Sequence, residues 1–433
     1  MTTIAIVKDL SLTLRGILHY HTFSKKSCLW PEEKIKAYQF EKLKHLLSES
    51  YLGVPYYREV FKNIGFNPLK DFRKLEDLAH IPILSKQKAR EVRPFLDNPK
   101  YTKNAMKLRT SGSTGEPFEV FVSDNAWIVE QAVVWRHWAW GGYNFRDKLA
   151  MVRSFVPSVG APPYKHDKIR NFYMFSPFNL NDEKIGQYLD IMRREKIRIL
   201  RGYPSSVLTL AEFVHRTQHP IPNLKLILTA SESLTDRDRI TIESAFKTKI
   251  SNHYGLAEIV VMMGDCHNHE GMHNYDDYGY LELLDTDLPS EKRIIGTHLH
   301  NLATPLIRYD TGDLAEVLET PTTCGHTFQT VKNIIGRRDQ QIQTPEGYKV
   351  PTVNFYTMFE SFQDIARWQI VQHQLNRIEF ILQAPNIKAE RIETLRKAIY
   401  TRLPQSIKVE ISLDKYFIQK NEGKINPFIS MLP

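Results

Sequence analysis

From about residue 149 the chain repeats one pattern: a short apolar segment, a small or polar link, then a stretch of helical spacing. LAMVRSF, KIRILRG and NLKLILTASE are the apolar segments, and SSVLTLAEFVHR and TDRDRITIESAF supply the helical spacing after two of them. Strands separated by helices cannot pair through tight hairpins. Each helix carries the chain back across the sheet, so the strands run parallel with helices on the faces. The expected fold is therefore α/β, with doubly wound, mostly parallel sheets. Ligands in such sheets collect outside the carboxyl ends of the strands. TSGSTG, GYPSS (202–206), TASES (229–233) and NHYGLAE then face one crevice.

The flanks differ from this middle. Residues 1–105 are expected to be mostly helical: in WPEEKIKAYQFEKLKHLLSES, Pro31 opens a helix, acids fill its first turn, and Phe40, Leu43 and Leu47 share a face. In the tail, Trp368 and Ile370, then Ile378, Phe380 and Leu382, alternate with period two around a turn at 375–377. Ile392, Leu395, Ile399 and Leu403 keep helical spacing, and Ile407 to Leu413 alternate again. This β-β-α-β order predicts a small α+β C-terminal domain, 339–433, after a large N-terminal domain, 1–338. A chain of 433 residues, 42% apolar, suits two cores.

A net charge of +9 favours anionic partners, but the basic residues are scattered, which suits a solvated surface better than a nucleic-acid stripe. No run approaches the ~20 apolar residues of a membrane span, and no signal peptide is visible. Three cysteines, 28, 266 and 324, make no disulfide framework. The expectation is a cytoplasmic protein, a monomer or homodimer, with no nucleic-acid partner and no integral membrane association.

RTSGSTGEPFEVF (109–121) poses a narrower question. A Walker loop needs a lysine after its second glycine, and Glu116 stands there. Gly112 and Gly115 still let backbone N–H groups approach an anion, and Ser111, Ser113 and Thr114 add hydroxyl donors. Downstream come SNHYGLAEI (251–259), TPLIRYDTGDL (304–314) with Arg308, Asp310 and Asp313 on a tight turn, IIGRRDQQI (334–342), and NEGKINPF (421–428) with Lys424 on a glycine turn.

In this order the motifs resemble the adenylate-forming ligase superfamily along almost the whole chain. PYYRE (55–59), GYPSS and the short C-terminal domain are most similar to its phenylacetate–coenzyme A ligase-like branch, which includes the CapK proteins. The resemblance implies that a carboxylate attacks the α-phosphate of ATP, giving acyl-AMP, and that the acyl group then passes to a nucleophile, first of all the coenzyme A thiol. It implies an ATP site of Ser111, Gly112, Ser113, Thr114 and Gly115 at the phosphates, with Ser231, Glu232, His253, Tyr254 and Gly255 about the nucleotide. Tyr254 would lie on the adenine, Asp313 would take the ribose hydroxyls, Arg337 would hold ribose or phosphate, and Glu258 would hold Mg²⁺. The catalytic set would be Lys424, Glu258 and Arg337, with Asp339 as the hinge about which the small domain turns. Ser231 stands where the family often has glycine, and Asn426-Pro427 follow Lys424 where an arginine often stands.

Two further constellations remain open. Cys266, His273, Cys324 and His326 would supply a structural zinc with two thiolates and two imidazoles, His267 or His269 being substitutes; an accidental His-rich loop with two buried thiols is the alternative. Trp135, Trp138 and Tyr203 would line an aryl or acyl pocket, or simply pack a core. Acceptors other than coenzyme A, an amine or a hydroxyl, are the first rival reading, and a non-catalytic nucleotide-binding relative is the second.

Overall fold

The computed structural model describes residues 3–432 apart from 110–117, 154, 156–161, 178, 179, 233, 287, 338–340, 347, 348, 353, 354, 356, 357, 360, 363, 415 and 419–424. The chain opens on helices, Thr3–His19 and Glu32–Gly53 the longest of them. Pro31 sits at the N-cap of the second, and Val54 leaves the helix in extended geometry before Pro55. Its buried face carries Ile35, Leu43, Leu46 and Leu47.

A hairpin follows, β1 (Met106–Arg109) and β2 (Glu119–Val122). After the helix Asp124–Trp140 come β3 (Leu149–Val152), β4 (Tyr164–Asp167), β5 (Phe172–Phe175) and β6 (Ile199–Gly202). Then come β7 (Leu226–Ala230), β8 (Ile250–Gly255), β9 (Met262–Asp265) and β10 (Met272–Asn274). Next are β11 (Gly279–Asp285), β12 (Glu291–His298), β13 (Tyr309–Glu316), β14 (Thr330–Val331) and β15 (Asn333–Arg337). The main sheet has nine strands in the order β14-β10-β9-β8-β7-β6-β3-β5-β4. Its centre, β5-β3-β6-β7-β8, is parallel, as the sequence predicts, and both flanks are antiparallel. A second sheet, β11-β12-β13-β15, is an antiparallel meander.

The two faces of the parallel centre are covered differently. Ala150, Leu200 and Ile227 pack under the helices Asp182–Arg194, Pro204–Thr217 and Asp236–Phe246. On the other face Leu149, Ile199, Leu226 and Leu228 meet Trp135 and Trp138 of the helix Asp124–Trp140. Each such side chain taken fully out of water contributes roughly 1.5–3 kcal/mol, and together these layers fix the strand ends.

The tail forms its own core. β18 (Arg367–Gln374) and β19 (Arg377–Gln383) make the expected hairpin, the helix Ala389–Tyr400 crosses it, and β20 (Lys408–Leu413) joins parallel to β19. Before them lies the short hairpin β16 (Gln341–Gln343) and β17 (Lys349–Pro351). The sequence pattern missed that hairpin and the last strand, β21 (Phe428–Ser430), which pairs parallel with β18. Three residues are too few for a periodic signal. Ile370, Ile378, Phe380, Leu395, Ile399 and Phe428 share one core. The fold is thus α/β, a large N-terminal unit followed by a small α+β unit. Arg367 joins the two, its guanidinium reaching Glu212 Oε2 at 3.2 Å and the Ser205 carbonyl at 3.3 Å.

Candidate active site

The parallel strands deliver the site at their carboxyl ends. β8 ends in His253-Tyr254-Gly255, and the Tyr254 hydroxyl donates to Asp313 Oδ2 at 2.7 Å. Burial, with the Asp313 charge after it, pushes the Tyr254 phenol well above its ordinary range. Asp313 sits on β13 opposite Arg337 of β15 in the strand register. The sequence suggests a tight turn at TPLIRYDTGDL, whereas Asp310 and Asp313 lie within a strand. The turn is confined to Arg308, with φ 49, and a bulge at Gly312, with φ 76, where β13 pairs irregularly with β12. Asp310 Oδ1 accepts the Gly312 N–H at 3.0 Å, and Thr311 Oγ1 accepts the Asp313 N–H at 3.1 Å. Local side-chain acceptors thus do inside a strand what they do in a turn.

Glu258 is almost fully buried, although lone glutamates are seldom so. Its Oε1 accepts from the Tyr309 hydroxyl at 3.0 Å and meets Lys86 Nζ at 3.3 Å. Lys86 was not legible as a site residue. It arrives because Leu84 bridges to Tyr309, exchanging backbone hydrogen bonds with Arg308 and Asp310 at 3.0 Å each. No local motif announces such a contact across more than 170 positions of sequence. Ile259, next to Glu258, holds φ 52, an uncommon value for a β-branched residue and a mark of local backbone strain.

Ser231 also sits in the left-handed region, φ 74, at the end of β7, where glycine would be at ease. Glu232 beside it accepts the Ser205 N–H at 2.9 Å and the Ile425 N–H at 3.2 Å. The residue after Lys424 is therefore held at the carboxyl ends of the strands. Ser111, Gly112, Ser113, Thr114, Gly115, Asp339 and Lys424 themselves lie outside the described residues, as does the Arg337 side chain.

The cysteine and histidine positions converge at the sheet edge. The ligating atoms of Cys266, His273 and Cys324 lie within 4.8 Å of one another, as do those of His267, Cys324 and His326. His273 Nε2 is 3.0 Å from Cys324 Sγ, and its Nδ1 faces the Phe328 carbonyl at 3.4 Å and Thr330 Oγ1 at 3.1 Å. His326 stacks on Trp140, ring centroids 4.3 Å apart, with its Nδ1 buried and lacking a partner among the described residues. Burial, reinforced by the neighbouring Cys324, pushes the Cys266 thiol up to about 11, and burial takes His326 down to about 4.

No family model matches the chain. It is 30% identical over 324 residues to a phenylacetate-coenzyme A ligase of Thermus thermophilus, covering 72% of each chain. The chain belongs to the phenylacetate–coenzyme A ligase family. Protein CapK of Staphylococcus aureus is a more distant relative, 24% identical over 364 residues, covering 80% of this chain and 77% of that one. Among solved structures, the fold is similar to that of a 2-hydroxyisobutyryl-CoA ligase in complex with 2-HIB-AMP. That match has a TM-score of 0.69 at 18% identity and covers 93% of this chain and 90% of that one.

Within this phenylacetate–coenzyme A ligase-family fold the three aromatic candidates part company. Trp135 packs edge-on to Phe145, centroids 5.9 Å apart. Trp138 carries Arg201 over its face at 4.6 Å, and Tyr203 carries Arg153 at 5.2 Å. His253, next to Tyr254 on β8, lies 5.4 Å from His137, and burial holds it neutral, its pKa well below the ordinary imidazole value.

Proposed function

We propose that this chain activates a carboxylic acid with ATP and passes the acyl group to the coenzyme A thiol. In the first step a carboxylate oxygen attacks the α-phosphorus, the bond to the β-phosphate breaks, and pyrophosphate leaves. In the second, the thiolate sulfur attacks the acyl carbon and AMP leaves. Both steps gather negative charge, so donors and cations placed in advance are what the protein has to provide.

The Tyr254–Asp313 contact carries this reading. It sets an aromatic face and a carboxylate side by side at the carboxyl end of β8, which suits an adenine and its ribose hydroxyls. Arg337, in register with Asp313, would support ribose or phosphate. Ser111–Gly115 would cradle the phosphates, and Lys424 would bridge the attacking carboxylate and the α-phosphate. The proposed domains are 1–338 and 339–433, with Asp339 as hinge. The Glu232–Ile425 hydrogen bond supports a lid that brings Lys424 to the crevice.

Glu258 is the proposed Mg²⁺ ligand. Among the described residues both of its contacts fall on Oε1, so Oε2 suits a hard cation. A bound magnesium ion would neutralise phosphate charge. Cys266, His273, Cys324 and His326 would hold a structural zinc, and the Phe328 carbonyl on His273 Nδ1 fits the usual outer partner of a ligating imidazole. Zinc there would brace the loop and take no part in the chemistry. A cytoplasmic location goes with this reading, and no described helix is long and apolar enough to cross a membrane.

Carboxylate-dependent ATP–pyrophosphate exchange over a panel of acids tests the first step, and coenzyme A consumption tests the second. Exchange with no acid at all, in a protein that binds ATP, would sink the proposal. Lys424→Ala should abolish exchange while ATP binding persists.

A further inference from the structure

Two arginines stand at the carboxyl ends of β3 and β6 with no carboxylate of the described residues against them. Arg201 lies in a cross-strand row with Met151, Leu228 and Ser251, on the sheet face covered by the helix Asp124–Trp140. Its guanidinium rests 4.6 Å over Trp138, and its Nε is buried without a hydrogen-bond partner among the described residues. The indole Nε1 of Trp138 is orphaned in the same way, as are Nδ1 of His137 and Nδ1 of His253. Arg153, just past β3, lies 5.2 Å over the buried ring of Tyr203. Among the described residues neither arginine has an ion-pair partner.

Arg136, on the helix above, also leaves its Nε without a partner among the described residues, but its terminal nitrogens are satisfied. It makes two hydrogen bonds to Asp277, at 2.6 and 2.9 Å, and others to Ser27 and the Ser24 carbonyl. Arg201 and Arg153 are half-buried, and a guanidinium N–H held out of water without such a partner is costly, an aromatic face offsetting only part of that cost. Burial and the charge of Arg153 together pull the Arg201 pKa well below its ordinary value. The histidines add no further positive charge, since burial holds His137 down at about 3. Arg201 Nε and Trp138 Nε1, orphaned on side chains that touch each other, with only β7 between β6 and β8, are donors that an absent anion would satisfy.

We infer that Arg201, with Arg153 beside it, is an anion-binding wall of the acid pocket, and that the acid this chain activates carries a second carboxylate. The inference rests on the ligase reading above, and it names the substrate class: one carboxylate is adenylated at the nucleotide, and the other pairs with the guanidinium groups at the far end. Trp138 Nε1 supplies a further donor, and the aromatic faces of Trp138 and Tyr203 hold the arginines in place.

The test is ATP–pyrophosphate exchange with matched acids: hexanoate against adipate, and phenylacetate against 4-carboxyphenylacetate. The dicarboxylates should be preferred in kcat/KM by at least about 100-fold, because a site built for a polar group rejects the analogue that lacks it. Arg201→Met should collapse that ratio, Arg201→Lys should lower it less, and Arg153→Met should reduce it independently. Should Arg201→Met fail to fold in a thermal melt, the wild-type preference and the other two variants decide. Exchange with the monocarboxylates at equal or better kcat/KM, and a ratio unmoved by the variants, would overturn this inference and leave the ligase reading intact. Exchange with no acid would overturn both.

Discussion

The Tyr254 hydroxyl and the Asp313 carboxylate meet at 2.7 Å, joining the end of the parallel sheet to the antiparallel one. Tyr254→Phe keeps the ring and removes this hydrogen bond from the carboxylate. A hydrogen bond to a charged group contributes about 1.5–3 kcal/mol. The expected result is a KM for ATP raised about 10-fold in the exchange assay, with kcat nearly unchanged, the pattern of lost uniform binding. An unaltered KM would remove Tyr254 from the positioning of Asp313.

Arg136 and Asp277 are each only 1% exposed in their side chains, and the pair ties the helix Asp124–Trp140 to the N-terminal helices through Ser24 and Ser27. Arg136→Met strands a buried carboxylate and should cost about 3–5 kcal/mol in denaturant unfolding. Replacing both partners with apolar residues should cost less than either single change. A single-variant loss under about 1 kcal/mol would show that water reaches the pair.

Cys324 belongs to both candidate metal groups. Purified protein should carry about one zinc per chain, and Cys324→Ser should lose it together with thermal stability. Turnover at a temperature where the variant stays folded should hardly change. Metal analysis decides, and wild-type protein without zinc would leave only a packed thiol and histidine cluster.

His300 is buried, donates to the Asp277 carbonyl at 2.8 Å, and is held by burial at about 4. The unfolded chain, near 6.5, binds the proton more readily than the folded one. Stability from this group is therefore complete above pH 6.5 and falls as pH drops toward 4, by about 1.4 kcal/mol per unit inside that window. His300→Gln should make the acid decline shallower by that slope. Parallel stability–pH curves for wild type and variant would refute the assignment.

The sequence made legible what repeats or alternates. LAMVRSF, KIRILRG and NLKLILTASE became β3, β6 and β7, and the period-two stretches of the tail became β18, β19 and β20. Tyr254, Asp313 and Glu258 were legible because each sits in a compact motif. Lys86, Arg153 and Arg201 were not. Their company is set by strand order and by one isolated bridge, and an arginine inside an apolar segment gives no sign of whether a carboxylate will face it. The Asp310–Asp313 stretch misled in another way, since Asp, Thr and Gly serve a bulge as readily as a turn.

Glu232 accepts one N–H from the start of the helix Pro204–Thr217 and one from Ile425 of the small unit. If the small unit swings away, the first of these stays and the second is lost. The Glu232–Ile425 contact thus marks whether the small unit sits against the crevice.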